Sequence, residues 1–422
     1  MKITYLVHGF PPRENAGTEQ HTKCVVEHMK ARGHQVQVIA ATRAPGRLHG
    51  EILSHEPDCH RIVNNIPARP LIQQECDRHI QKKIEQLLNR FKPDIVHIQH
   101  IQFLSVDISI DCPTAFTFHD SWAWCPAGGL ELRWPEQQNC VEPSPSECAS
   151  CSAQWHPQLS PQAHRLMSLA QHLNPIISSE RLHEMWKWLP TKWRARLSTE
   201  RGAPPPAPKA VTQRNQKLHQ LIEGCQLKIS PSRYLAKRAM AHGFSEIKVL
   251  PHALDERIPH QGGNGILYLG TISHHKGADL VAEAINIAFP HSPPKSMFFG
   301  LPVDPQMAAK IGAKPPLDRT AVWSALKQAD VLVMGSRWRE NAPLVILEAR
   351  AAGCPVIAPR IGGIPEIITD GVDGFLYEPN DVSSCAAVLQ RWHSGPKLTP
   401  TNPPLASQRM DTLESWYRQL CG

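Results

Sequence analysis

Short apolar runs alternate along this chain with longer stretches whose apolar residues recur at helical spacing, a pattern that predicts strands and helices in succession. The opening ITYLVHG reads as a strand, FPPRENAGTEQ as a loop, residues 21–33 as a helix stopped by Gly33, and QVQVIA as the next strand. This is a βαβ unit of the doubly wound kind, which places a ligand beyond the carboxyl ends of its strands. DIVHIQ at 94–99 and TAFTFHD at 114–120 supply two further strands. Between residues 125 and 210 regularity is lost amid cysteines, tryptophans and prolines, ending in APPPAPKA. It returns with LKISPSRYLAKRAMAHG, a strand and a helix capped by Ser and Pro, after which IKVLPHALD reads as an interdomain strand and linker.

The second half repeats the logic. GILYLGTISHHKGADLVAEAI is strand, loop and helix, and SMFFG is another strand. LDRTAVWSALKQAD is a helix running into the strand VLVMG, and SQRMDTLESWYRQL is a final amphipathic helix. Residues 329–379 are the most informative stretch. There PLVILEARAA forms a helix with Pro343 in its first turn, Asn341 as N-cap and Gly353 as its stop, followed by the buried strand PVIAP. Unbonded N–H groups and the positive dipole end at such a helix start suit an anion, commonly a phosphate. Two carboxylates bracket that end. Glu340 sits in the preceding loop, and Glu348 lies one to two turns inside with its side chain leaning back toward the N-terminus. One acid then reaches beyond the phosphates while the other meets hydroxyls on the near side, the layout that holds a sugar–diphosphate–nucleoside.

At 422 residues the chain is too long for one core and suits two α/β domains, and 39 prolines predict extensive loops. The net charge of +7, from 45 basic and 38 acidic residues, suits anionic ligands or an anionic membrane surface and is too diffuse to argue for nucleic acid. No apolar run approaches the ~18 residues of a membrane-crossing helix. MKITYLVHGFPP reads as a first strand rather than a leader, so the expected location is the cytoplasm or the inner face of the cytoplasmic membrane. In that compartment the 12 cysteines are expected to be reduced or metal-bound rather than disulfide-paired. Cys125, Cys140, Cys148 and Cys151 form a C-x14-C-x7-C-x2-C series whose last pair resembles half of a zinc knuckle. Four thiolates suffice for a closed, structural zinc site, with His156 as a spare ligand; a reduced set or one redox disulfide are the alternatives. In residues 181–201, Trp186, Trp188 and Trp193 lie among Lys187, Lys192, Arg194 and Arg196. That mixture suits either an anionic lipid interface presenting a membrane-held acceptor or a helix packed inside the first domain.

Glu340 and Glu348, with PLVILEA, AAGCPVIA and GGIPEIITDGVDGFLYEP around them, resemble the donor site of the retaining family 4 glycosyltransferases of GT-B fold. The resemblance implies an α/β chain of two Rossmann-like, doubly wound domains facing across a cleft. Residues 1–249 would form the acceptor-side domain, with a Cys/Trp-rich insertion at 121–210. Residues 250–404 would form the nucleotide-sugar-binding domain, and a helix at 405–422 would cross back to the first. The implied activity moves a sugar from a nucleotide-diphosphate donor to a hydroxyl of a glycan or lipid-linked acceptor, with retention, in cell-surface polysaccharide synthesis. No catalytic metal is expected, because no DxD-type acidic pair is available and protein cations supply the charge.

The same resemblance distributes roles. Glu348 would bind both ribose hydroxyls, Glu340 hydroxyls of the transferred sugar, and the amides of Leu344 and Val345 the distal phosphate, with Asn341 beside them. Lys276, in the loop after GILYLG, would neutralise the diphosphate and its leaving-group charge. His119 would lie near the donor sugar as a neutral imidazole that donates to a hydroxyl or orders the acceptor, unless it merely caps a strand end. Asp120 would hold His119 or cap the next turn. Gly17 permits close backbone approach where relatives often carry two glycines and this chain has Ala16 first. Glu19 is either a substrate contact or a favourable first-turn acid. Relatives usually place an arginine where this chain has Thr271, also part of the donor set. His274, His275, Arg337 or Arg339 is expected to compensate. That departure, with the short segment between SMFFG and VLVMG, keeps open a non-catalytic subunit binding sugar nucleotide or glycan. A sugar-nucleotide epimerase shares the fold. No G-x-G-x-x-G follows a strand, which argues against a dehydrogenase.

Overall fold

Strands buried on both faces of a parallel sheet need nearly continuous apolar runs, and the short β-rich segments of this chain meet that need in two separate sheets. The computed structural model describes residues 1–44, 47–56, 58–65, 76–155, 205–398 and 400–422. The first half runs β1 (Lys2–Val7), α1 (Gly17–Ala31), β2 (Gln35–Thr42), β3 (Ile52–Glu56), β4 (Cys59–Val63), α2 (Arg78–Phe91), β5 (Ile95–Ile98) and β6 (Thr114–Thr117). A hairpin of β7 (Leu132–Arg133) and β8 (Gln138–Asn139) follows, then α3 (Pro145–Trp155), α4 (Pro208–Glu223), β9 (Leu227–Ser230), α5 (Arg233–Ala241) and β10 (Ile247–Val249). The second half runs β11 (Ile266–Leu269), α6 (Ala278–Ala288), β12 (Ser296–Phe299), α7 (Pro305–Lys310), α8 (Arg319–Gln328), β13 (Val331–Val333), α9 (Leu344–Ala351), β14 (Val356–Pro359), β15 (Gly374–Tyr377), α10 (Val382–Ser394) and α11 (Ala406–Cys421).

The first sheet has the order β10-β9-β6-β5-β1-β2-β4-β3, parallel except for β3 against β4 at its edge. The second has the order β12-β11-β13-β14-β15 and is parallel throughout. Each therefore contains a switch point where successive connections leave in opposite directions, between β1 and β5 in one and between β11 and β13 in the other. Loops beyond the carboxyl ends of strands part at such a point and leave a crevice. The loops after β1, β6, β11 and β13 carry most of the candidate site residues.

Alternation along β1 sends Leu6 to one core and Ile3, Tyr5 and Val7 to another. On the first face Leu6, Val96 and Phe116 pack on Ile80, Ile84 and Leu88 of α2 and on Leu218 and Ile222 of α4. On the second, Tyr5, Val38 and Ile95 pack on Val25, Val26 and Met29 of α1 and on Met410, Leu413 and Tyr417 of α11. The last helix thus returns to the first sheet. Tyr417 is fully buried there, its hydroxyl 3.4 Å from that of Tyr5 and hydrogen-bonded to Nδ1 of His97, whose Nε2 meets Thr117 at 2.8 Å.

Several features differ from the sequence reading, which assigns no helix to α2, α4 or α10. The irregular stretch contains the β7–β8 hairpin and α3, and α4 begins inside its final proline run. Asn341 is not the N-cap of α9: Pro343 occupies that place and no side chain caps the helix. The segment between β12 and β13 holds, besides the expected helix α8, the short helix α7 and isolated bridges such as Phe299 with Lys314. Among the described residues no helix is long and apolar enough to cross a membrane. The tryptophan-rich stretch 181–201 and His156 lie outside the described residues.

The burial of Tyr417 sets an expected energetic weight for α11. Tyr417→Ala should lower the unfolding free energy by about 3–5 kcal/mol, read from urea denaturation. Tyr417→Phe, which keeps the ring and loses only the hydroxyl, should cost about 1 kcal/mol. Equal losses in the two variants would show that packing is not what anchors the helix.

Candidate active site

A cavity of about 760 Å³ opens between the two sheets, lined from the first half by His8, Gly17, Glu19, His100, His119 and Asp120 and from the second by Thr271, Lys276, Arg319, Trp338, Glu340 and Glu348. Asn341, Leu344 and Val345 line it as well, so every candidate donor-site residue meets in one place. Leu344 and Val345 open α9, where first-turn amides have no intrahelical acceptor and no side chain caps them. Gly17 faces this helix start: a Cβ there would lie 3.9 Å from Leu344 Cδ1.

Glu340 is 5% exposed, and its Oε1 accepts from Lys276 Nζ at 2.7 Å, Ser336 Oγ at 2.8 Å and Trp338 Nε1 at 2.8 Å. The Lys276 ammonium also lies 4.8 Å from the centre of the Trp338 ring, a cation–π contact. Lys276 ends a 3-10 turn stopped by Gly277 at φ 64°, where a Cβ would come within 1.9 Å of Gly335 O. A side chain at Gly277 would push the lysine loop away from the β13 loop. On the other side of the helix start, Glu348 pairs with the Arg319 guanidinium. Burial pushes the Glu348 carboxyl above its ordinary range, with Arg319 opposing the shift.

Asn341 ties the two halves together. Its Nδ2 donates to the His119 carbonyl at 3.0 Å and its Oδ1 accepts from Ser232 Oγ. Asn139 Nδ2 donates to Arg337 O at 2.9 Å, and Arg339 donates to Cys140 O at 2.7 Å, so the β7–β8 hairpin grips the same loop. Glu366 accepts from the amides of Arg233 and Tyr234 at 2.8 and 2.6 Å, closing the start of α5 from across the cleft.

None of the four residues expected to compensate for Thr271 lines the cavity. Arg337 is held bidentately by Asp279 at 2.7 and 2.9 Å, and Arg339 lies near Glu131 at 3.7 Å. Neither lines the cavity, nor do His274 and His275. Arg319 does, at the start of α8 behind its N-cap Asp318. Sequence reasoning missed it because its ion-pair partner Glu348 is 29 residues away. The only local signal was the Asp318 cap that starts α8 in LDRT.

His119 Nε2 lies 2.8 Å from Gln99 Oε1, which fixes the proton on Nε2 and leaves Nδ1 as an acceptor. The Nε2–H that could donate to a sugar hydroxyl is thus engaged by Gln99. Asp120 caps the next turn through Trp122 N at 2.8 Å and lies 3.5 Å from His100, not against His119. Behind this wall the His21 ring lies tilted 4.0 Å from His252 and edge-on 5.4 Å from His119, ring centre to ring centre. Burial pushes His21 down to about 4 and holds His119 and His252 well below the usual imidazole range.

Cys125, Cys140, Cys148 and Cys151 do gather around one cavity of about 600 Å³. Their sulfurs do not converge: among the described residues no group of three or more His, Cys, Asp or Glu side chains is placed to hold a metal ion. Burial pushes the Cys125 thiol up to about 12 and the Cys148 thiol to about 11, and raises Cys140 and Cys151. The expected structural zinc is therefore unsupported.

Residues 16–147 match the family described as Glycosyltransferase Family 4 and residues 306–401 the one described as Glycosyl transferases group 1, together more than half of the chain. The D-inositol 3-phosphate glycosyltransferase of Streptomyces coelicolor is 30% identical over 154 residues, 32% of this chain and 34% of that protein. A glycogen synthase of Mycobacterium tuberculosis is 27% identical over 192 residues, 41% of this chain and 46% of that one. The chain spans about a third of the length of the first curated relatives it matches. Among solved structures, sucrose-phosphate synthase from Thermosynechococcus elongatus superposes with a TM-score of 0.59 at 15% identity, over 100% of this chain and 99% of that one. Anabaena Alr3699/HepE in complex with UDP and glucose gives 0.56 at 15% identity, over 100% and 94%. The shared architecture is the GT-B fold, two α/β domains of mainly parallel strands.

The imidazole cluster predicts an acid limit. Unfolded histidines take up protons near pH 6.5 that the buried His21 refuses until about pH 4. Its contribution to stability is therefore complete above about 6.5 and is lost as pH falls toward the folded value. Urea unfolding at pH ~5.5 should show about 1 kcal/mol less stability per such imidazole than at pH ~7.5. His21→Phe should flatten that slope, and an unchanged slope in the variant would remove His21 from the account.

Proposed function

The chain belongs to the group 1 and family 4 glycosyltransferases, and from that premise we propose that it moves a sugar from a nucleoside-diphosphate sugar to a hydroxyl of a glycan or lipid-linked acceptor, retaining anomeric configuration. The carrying observation is the uncapped start of α9, flanked by Lys276 with Glu340 on one side and Arg319 with Glu348 on the other. First-turn amides of Leu344 and Val345 receive the distal phosphate, and Lys276 with Arg319 offsets the charge that grows on the leaving diphosphate. Arg319, whose side chain is 41% exposed, turns from Glu348 toward the diphosphate as the ribose hydroxyls take its place on the carboxylate. Glu340 Oε1 is saturated by protein donors, so Oε2 is the oxygen left to orient the transferred sugar.

Attack comes from the face of the leaving phosphate, which accepts the acceptor's proton; His119 Nδ1 accepts from a hydroxyl nearby. The protein cations and the helix start supply the charge that a divalent ion supplies in other transferases. The basic, tryptophan-rich stretch 181–201 favours an acceptor presented at the inner face of the cytoplasmic membrane, in cell-surface polysaccharide synthesis. A second reading, a non-catalytic donor-binding subunit, rests on Thr271 in place of the usual arginine.

A thermal-shift panel of UDP-, GDP-, ADP- and dTDP-sugars should single out one nucleotide, worth about 2.7 kcal/mol of native-state stability at about 100 times its Kd. Lys276→Ala and Glu340→Ala should each lower transfer on the order of 10²–10³-fold with the fold intact. Arg319→Gln should weaken nucleotide binding. No stabilising nucleotide would end the proposal, and binding without transfer would favour the second reading.

A further inference from the structure

The first-half wall of the cleft is chemically unlike the second. His8 and Glu19 both line it, with His8 Nε2 3.2 Å from Glu19 Oε1. Glu19 is 4% exposed, and although burial pushes its carboxyl up, the His8 contact wins and holds it below the ordinary range, so it is ionised. A carboxylate that only accepts fixes the His8 proton on Nε2 and leaves Nδ1 as an acceptor. Both Glu19 Oε2 and His8 Nδ1 are buried without a partner. A buried acceptor left unpaired costs about 1–3 kcal/mol in general, so two adjacent ones in a cleft mark a place where donors arrive from elsewhere.

The next layer supports the pair. The His8 and His100 rings lie 4.3 Å apart; His100 Nδ1 accepts from Gln102 N at 3.2 Å, which turns its Nε2–H toward Asp120 Oδ2 at 3.5 Å. His100 packs on Trp122, centre to centre 5.0 Å. Gly9 leaves room for the carboxylate: a Cβ there would come 3.1 Å from Glu19 Oε1 and 2.7 Å from Glu14 Cβ. Among the described residues lining the cavity, the first half contributes no lysine or arginine, whereas the second contributes Lys276 and Arg319.

We propose that Glu19 Oε2 and His8 Nδ1, braced by His100 and Asp120, form the acceptor subsite and accept hydrogen bonds from neighbouring hydroxyls of an uncharged sugar or polyol. The inference rests on the transferase reading for which wall faces the donor. Two hydroxyl donors satisfy the two orphaned acceptors. A phosphorylated or carboxylated acceptor would instead bring its charge against Glu19 and Asp120, with no lysine or arginine among the described residues of that wall to offset it. The subsite therefore selects for neutral acceptors as well as binding them.

Calorimetric titration tests this, using methyl glycosides of glucose, galactose and mannose and myo-inositol against the corresponding monophosphates, with and without the stabilising nucleoside diphosphate. At least one neutral probe should bind, and more tightly than its phosphorylated counterpart. Glu19→Gln should weaken that binding on the order of tenfold while leaving the nucleotide thermal shift unchanged. His8→Gln serves as the second variant should the first fail to fold. Tighter binding of a phosphorylated probe, equal binding by wild type and variant, or no neutral probe binding at all would overturn the subsite. Failure of the donor reading is separate, since it appears as the absence of any nucleotide shift in the wild-type protein.

Discussion

A single carboxylate oxygen organises the cleft. Glu340 Oε1 gathers an ammonium, an indole N–H and a hydroxyl, and these three donors come from the β11 loop and the β13 loop. Its neighbour Asn341 bonds outward, to Ser232 and to the His119 carbonyl. Consecutive residues thus fasten one loop inward and across. The turn at Gly362 and Gly363 backs this loop so closely that a Cβ at either would meet Glu340 O or Asn341 O at 2.0 and 1.9 Å. Positioning of the uncapped start of α9 follows from that fastening, and the cavity takes its shape from it.

The electrostatics follow the same economy. The buried imidazoles are held neutral by burial, so the formal cations lining the cavity among the described residues are Lys276 and Arg319. Each is matched by a carboxylate, Glu340 or Glu348, that is less than a tenth exposed. An ion pair of this kind compensates charges that would be expensive to bury singly. It also means that an arriving dianion exchanges partners within an existing arrangement instead of meeting bare charge.

Much of this was legible in the chain. The run around 344–351, the two flanking glutamates and Lys276 converge as their local patterns imply, because strand, loop and helix signals are short-range. Asn341 was misread for a reason that is equally local: Pro343 takes the N-cap place, which frees an amide side chain to bridge the halves. Arg319 and Glu19 were not resolved, since what makes them site residues is a partner far along the sequence or an oxygen left without one. The four cysteines are a case where spacing alone goes unsupported. Their spacing resembles a ligand set, yet hairpin, turn and helix α3 hold the sulfurs around a void. Helix α2 escaped notice although Asp77 caps it and Ile80, Ile84, Leu87 and Leu88 recur at its buried face.

Because α11 is part of the first core, the polypeptide passes between the halves twice, once after β10 and once before α11. The two passages are laced together where Leu254 N meets Pro404 O at 3.1 Å and Arg257 donates to Pro403 O at 2.6 Å. A doubled tether of this sort behaves like a door hung on two pins: it permits swinging about the line joining them and resists sliding or twisting. Displacement of one half against the other is thereby constrained where these two crossings of the chain are bonded together.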